Sequence, residues 1–114
     1  MDRGAHFYKC DFQVHTPRDQ NWRGANAVTD DERRSYAETL IAACRDKKLA
    51  ALAITDHHDM AFVQHVRRAA IEEAHQDGTA LPASDRITVF PGMELTLGVP
   101  CQAIIILDAQ LSPQ

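Results

Sequence analysis

Leu49-Ala50-Ala51-Leu52-Ala53-Ile54-Thr55-Asp56-His57-His58-Asp59 sets an unbroken apolar run directly before two carboxylates and two imidazoles. The run from Leu49 to Ile54 is too short for a helix between such punctuation. It reads as a strand buried on both faces, the kind that helices cover in a parallel sheet. Asp11-Phe12-Gln13-Val14-His15-Thr16 upstream and Phe90-Pro91-Gly92-Met93-Glu94-Leu95 downstream repeat the arrangement. Each is an apolar or β-branched stretch that ends in metal-type ligands. The three strand ends are expected to converge on one site.

Working outward, Tyr8, Cys10, Phe12 and Val14 alternate with Lys9, Asp11, Gln13 and His15, the period of a strand. Gln13 and His15 therefore share a face. Thr16-Pro17 ends this strand. A polar loop over 17–30 carries Trp22, read either as a cap on the core or as a flank of a substrate mouth. Thr29 or Asp30 is a sound N-cap for a helix over 31–48, with Tyr36, Leu40, Ile41 and Cys44 at helical spacing. After the 49–54 strand, Phe62, Val63, Val66, Ala70 and Ala74 make the apolar stripe of a second helix, from about 60 to 75, which Asp77-Gly78 terminates. Residues 86–90 form a third strand that Pro91-Gly92 breaks. Residues 93–97 are extended, 98–100 turn, and 101–107 form a last strand. The order βαβαβ, then β, predicts an α/β fold with a mainly parallel sheet. No covering helix follows the last strand. The chain therefore reads as the first portion of a larger fold, or as one whose open edges a partner or a second copy covers.

Composition narrows the function. The 114 residues suit one small domain, and 45% hydrophobic content is enough for a core. The net charge of -4 and the lack of any long Lys/Arg run give no basic nucleic-acid surface. A phosphate-bearing partner stays open, because metal ions can supply the missing positive charge. No apolar stretch is long enough to span a membrane, and no signal peptide is evident at the polar start. Cys10, Cys44 and Cys101 make no CxxC motif and read as buried, reduced thiols, which points to the cytoplasm.

Ligands of parallel α/β sheets sit at the C-terminal strand ends. The groups expected there are Gln13 with His15, then Asp56 with His57 and His58, then Glu94, and Gln102 on the last strand. Asp19 and Asn21 in the first loop are further candidates. Imidazole with carboxylate oxygen suits Zn²⁺, Mn²⁺ or Fe²⁺. Such ions polarise phosphoryl oxygens and make hydroxide from water near neutral pH. His57 is read as a ligand, and Asp56 as the group that orients an imidazole rather than a plain helix cap. His58 and Asp59 have a simpler reading, the start of the next helix. His6, His65 and His75 read as surface or packing residues. A Cys-His nucleophilic pair is the weaker enzymatic alternative, since Cys10 and His15 fall on opposite strand faces.

At these residues the sequence resembles the N-terminal part of the polymerase and histidinol phosphatase (PHP) superfamily. The matching pieces are Asp11-Phe12-Gln13-Val14-His15-Thr16-Pro17, Ile54-Thr55-Asp56-His57 and Pro91-Gly92-Met93-Glu94. With Phe7 to Cys10 and Leu95 to Leu97 included, the wording is most similar to the TrlF-type PHP domains that precede an ABC- or AAA-like ATPase in bacterial proteins. The resemblance covers nearly all of the chain but only about the first half of a PHP barrel. It implies a partial, distorted β/α barrel holding divalent ions at its strand ends. The implied activity is phosphomonoester or phosphodiester hydrolysis, nuclease action included. By resemblance, His15, His57 and Glu94 are metal ligands, with His57 and Asp56 at the catalytic centre. Gln13 and Gln102 stand where the family pattern has histidines. That departure implies a centre with fewer ions, or none, and a catalytically inactive module that binds a protein partner or a phosphate ligand as the alternative.

Overall fold

The computed structural model describes residues 4–98 and 101–110. Its strands and helices run in the order β1 (Cys10–Val14), α1 (Asp30–Asp46), β2 (Ala51–Ile54), α2 (Val63–Glu72), β3 (Thr88–Thr96) and β4 (Gln102–Ile106), with a single 3₁₀ turn at Ala83–Asp85. The four strands lie side by side in the order β1-β2-β3-β4. The first three are mutually parallel, and β4 returns antiparallel to β3. The result is an α/β fold whose mixed, strongly curled sheet forms a half-barrel covered by helices. The strand and helix order predicts the mainly parallel α/β sheet, and the partial barrel is what the resemblance implies.

Local chemistry sets each boundary. Thr29 caps α1 and Glu32 reaches back to the Thr29 N–H, a full capping box. The other end closes with Lys48 in the left-handed region at φ 60°. There Leu49 N–H bonds to Cys44 O and Lys48 N–H to Arg45 O, a Schellman ending. Four residues of β2 are all buried. Leu52 and Ile54 join Val89 and Ile87 from the β3 side against Ile41, Cys44, Phe62, Val63 and Val66 of the helical layer. At roughly 25 cal/mol per Å² of apolar surface removed from water, this cluster is the main source of stability.

Several expectations are corrected. Pro91-Gly92 does not break the third strand; β3 runs through it. Pro91 pairs with Ile54 of β2, and its carbonyl takes the Leu107 N–H at the very end of the β4 ladder. The donor that proline lacks would serve only that last rung. Gly92 is needed for close approach, since a Cβ there would lie 2.7 Å from Ile105 O and 3.1 Å from Ile54 O. Helix α2 starts at Val63 and stops at Glu72, shorter than its apolar stripe suggests. Ala74 instead bridges to Ala80, with Asp77-Gly78 in the connecting turn and Gly78 at φ 87°. Asp59 caps the turn before α2 through Ala61 N–H, not α2 itself, which has no side-chain cap. Cys44 is buried, but Cys10 and Cys101 are exposed. Tyr8 and Phe12 are 72% and 45% exposed, because the helices pack on the sheet face of Leu52 and Ile54 and these residues lie on the reverse. Trp22 packs edge-on against Tyr36, which packs edge-on against Phe62. It is a flap on the core. Of the expected 98–100 turn, Val99 and Pro100 lie outside the described residues.

Replacing Gly92 with alanine forces β2 and β4 apart at the strand that carries Glu94. We expect a loss of about 1–3 kcal/mol, the usual cost of overpacking, read as a lower urea midpoint with an unchanged slope.

Candidate metal centre

The loop after β1, the loop after β2 and the second half of β3 meet at the C-terminal end of the parallel strands. The main chain makes the first connection. Beyond the end of β2 the chain continues alongside β3, so that Asp56 O accepts from Glu94 N–H and Glu94 O from His58 N–H, each at 3.0 Å. His57 thereby lies opposite Glu94 in a parallel bridge. On the other side Thr55 N–H bonds to Val14 O, which sets His15 beside the same segment.

Two imidazoles then span two carboxylates. The rings of His15 and His57 stack at 5.3 Å with 14° between planes. His57 Nδ1 lies 2.9 Å from Asp19 Oδ1, and its Nε2 lies 2.6 Å from Glu94 Oε2. His15 repeats the span more loosely, 3.4 Å to Asp19 and 3.6 Å to Glu94. Its buried Nδ1 makes no hydrogen bond. Asp19 Oδ1 also accepts the His57 backbone N–H at 2.6 Å, and Asp19 Oδ2 accepts from Asn21 N–H. Asp19 therefore sets the pitch of the His57 ring, with Nε2 turned toward Glu94.

The remaining residues take distinct places. Asp56, fully buried, receives Thr16 N–H at 2.7 Å and the Thr16 hydroxyl at 2.6 Å. It braces the β1 loop and joins His15 and Asp19 in a second candidate group. Gln13 donates its amide to Glu94 Oε1 at 3.1 Å. The Asn21 side chain is exposed, and its backbone is what reaches the site. His58 is exposed at φ 53°, with Nε2 accepting from Thr96 N–H. Gln102 pairs with Thr96, two residues along the ladder from the Glu94–Ile104 pair, hence on the same sheet face as Glu94. Thr16 and Arg18 were not singled out by sequence. Only the loop fold reveals them, although a Thr-Pro pair at a strand end is a signal for a hydroxyl held in a turn.

The donor chemistry fits a divalent cation. His15, His57 and Glu94 form one group and His15, Asp19 and Asp56 another, the ligand atoms of each lying within 4.8 Å of one another. Tetrahedral ligands bound at ~2.1 Å sit roughly 3.4 Å apart, so the 3.6 Å His15–Glu94 separation suits an ion while the 2.6 Å His57–Glu94 contact would have to open. Electrostatics favour the same occupant. Asp19, Asp56 and Glu94 are 6%, 0% and 3% exposed, and among the described residues no lysine or arginine pairs with them. Burial, helped by the neighbouring Asp19, pushes the Asp56 carboxyl above its ordinary value against the pull of the Thr16 bonds and His15. For Asp19, burial acts upward too. Hydrogen bonds from the His57 and Asn21 backbones and the His57 ring, with the charge of His15, outweigh it and hold the carboxyl below its ordinary value.

Compared with family models, curated proteins and solved structures, the chain matches none. The curled partial barrel with its His/Asp/Glu clusters is PHP-like in general form.

The direction at Asp56 gives a test. A carboxyl raised on folding contributes stability below its unfolded value and loses it as pH rises through the folded value. Ionised Asp56 thus costs the metal-free fold at neutral pH. Asp56→Asn can keep both Thr16 bonds while removing the charge. We expect it to raise the neutral-pH melting temperature of chelator-treated protein by a few degrees and to lower the stabilisation that added Mn²⁺ gives. Calorimetric scans with and without metal check both signs.

Proposed function

We propose that the chain is the N-terminal half of a PHP-type, metal-dependent phosphoesterase domain, nearest to the TrlF type. Its centre holds a Zn, Mn or Fe ion on His15, His57 and Glu94. The observation that carries this reading is the pair of stacked imidazoles spanning Asp19 and Glu94, with His57 Nε2 and Glu94 Oε2 only 2.6 Å apart. A ring nitrogen and a carboxylate oxygen at that distance need a proton or a cation between them. A bound divalent ion supplies Lewis acidity toward a phosphoryl oxygen and a water that ionises near neutral pH.

The protein's own groups have separable tasks. Asp19 holds the Nδ1–H of His57 so that Nε2 keeps its lone pair for the centre. Asp56 and Thr16 lock the loop that bears His15. Gln13 fixes the Glu94 carboxylate by donating to the oxygen that the histidines do not face. A phosphomonoester or phosphodiester, nucleic acid included, is the proposed substrate class. Among the described residues no helix is long and apolar enough to cross a membrane. The proposed setting, the cytoplasm, rests on the cysteine usage. Ile104, Ile105 and Ile106 on the outer strand are 40–44% exposed. We take that edge as the place where further barrel strands, a second copy or another protein completes the fold.

Gln13 also favours a second reading, a catalytically inactive module that binds a partner or a phosphate ligand. With its amide already on Glu94 Oε1, one carboxylate oxygen is satisfied without any ion. One experiment separates the two. Protein purified without chelator is expected to carry bound metal, and Mn²⁺, Zn²⁺ or Fe²⁺ to support phosphodiester hydrolysis. His57→Ala or Glu94→Ala should cut that rate at least about 100-fold, the range seen when a residue that orients the reacting groups is lost. Absence of metal together with no rescue by any of the three ions would leave the inactive module as the function.

A further inference from the structure

Apart from a bound ion, the site as described offers three buried carboxylates and no lysine or arginine to receive an anionic substrate. The loop that carries His15 and Asp19 holds two basic side chains, Arg18 and Arg23. Only Arg18 is anchored across the site. Its backbone sits inside a turn closed by Asp19 N–H to Thr16 O, and its own N–H bonds to Thr16 Oγ1 at 3.2 Å. Since Thr16 is pinned to Asp56, the Arg18 backbone is fixed relative to the ligand cluster.

The side chain is held just as specifically. Arg18 Nε donates to Asp59 Oδ2 at 2.8 Å, and Asp59 Oδ1 is oriented by the Ala61 N–H at 2.7 Å. Asp59 lies two residues past His57, so this pair links the same two loops that Asp19 and His57 link below it. The Arg18 side chain is 47% exposed, and an ion pair of that exposure adds little to stability. The bond uses Nε alone. The two terminal nitrogens, with no protein partner among the described residues, present the planar edge that grips phosphate with two parallel hydrogen bonds.

We propose that Arg18, aimed by Asp59, is the phosphate-binding residue of this centre. It would receive two non-bridging oxygens of a phosphate ester, while an ion held by His15, His57 and Glu94 would supply Lewis acidity toward the phosphoryl group. The proposal rests on the metal-dependent reading above and adds the group that recognises the substrate's charge. A neutral ester or an amide offers Arg18 no paired anionic oxygens and is excluded as ligand.

The test uses the full chain loaded with one equivalent of Mn²⁺ and inorganic phosphate as the probe, followed by titration calorimetry. Metal uptake is measured separately on every variant. We expect Arg18→Ala to keep the wild-type Mn²⁺ affinity and melting temperature while weakening phosphate binding about tenfold or more. Arg18→Lys should restore part of it, because it returns the charge without the fork. Asp59→Asn, which loosens the aim and leaves the Arg18 charge, should weaken phosphate binding less than Arg18→Ala does. Normal Mn²⁺ uptake with equal phosphate affinity in wild type and Arg18→Ala, or with no phosphate binding by the wild type, overturns the Arg18 assignment and leaves the metal reading standing. No Mn²⁺ uptake by the wild type overturns the metal reading, and the Arg18 assignment falls with it.

Discussion

The structure depends at its functional end on one oxygen, Oδ1 of Asp19. It takes the backbone N–H of His57 at 2.6 Å and faces the His57 ring nitrogen at 2.9 Å. A loop residue after β1 thus fixes both the main chain and the side chain of a residue after β2. Without that tie the two strand-end loops would be joined at their tips by Thr16–Asp56 and by the exposed Arg18–Asp59 pair. With it, the His57 ring is held in one direction between Asp19 and Glu94. The parallel bridge to Glu94 then makes the third strand meet the other two at a defined height. Three segments distant in sequence are brought together because hydrogen bonds from main chain and buried carboxylates, rather than apolar packing, set their relative positions.

The same tie creates a charge problem. Burying a carboxylate without a cationic partner costs several kcal/mol, which is why such groups normally pair, protonate or bind metal. Here three are buried within reach of only two imidazoles. A molecule selected for stability alone would replace at least one of them with an apolar residue. A cation in the cluster would offset the cost of their burial, since a ligand that binds only the folded state stabilises it. Stability and function are opposed at Asp56 in particular. Its carboxyl is raised by burial, yet its oxygens also lock the His15 loop through Thr16.

Much of this was legible in the sequence, for reasons that differ by element. Thr29 and Glu32 announce α1 because capping is local chemistry. Leu49 to Ile54 announces β2 because a run buried on both faces needs no polar alternation. His15, His57 and Glu94 stand out because each ends an apolar stretch. The failures share a cause as well. Pro91-Gly92 is a breaker in isolation, but two neighbouring strands hold it extended and use the missing Cβ. Alternation in β1 defines two faces without saying which one the helices cover, so Cys10, expected as a buried thiol, lies exposed on the same side as Phe12. The left-handed turn at His58 and the positions of Asp19, Thr16 and Arg18 belong to loop geometry, which spacing does not encode.

Gln13 positions the Glu94 carboxylate without bringing a charge. Its carbonyl oxygen would be a poor ligand for zinc-like ions. The side chain does not present that oxygen to Glu94 but the amide hydrogens, 3.1 Å from Oε1. An amide donor does part of what a cation does for a carboxylate: it satisfies one oxygen and brings no counter-charge. Glu94 therefore keeps its geometry with one oxygen spoken for and the other, Oε2, facing both imidazoles. That arrangement concentrates cation binding on the Oε2 side. The 2.6 Å approach of His57 Nε2 to Glu94 Oε2 is then the contact where a cation would compete with a shared proton.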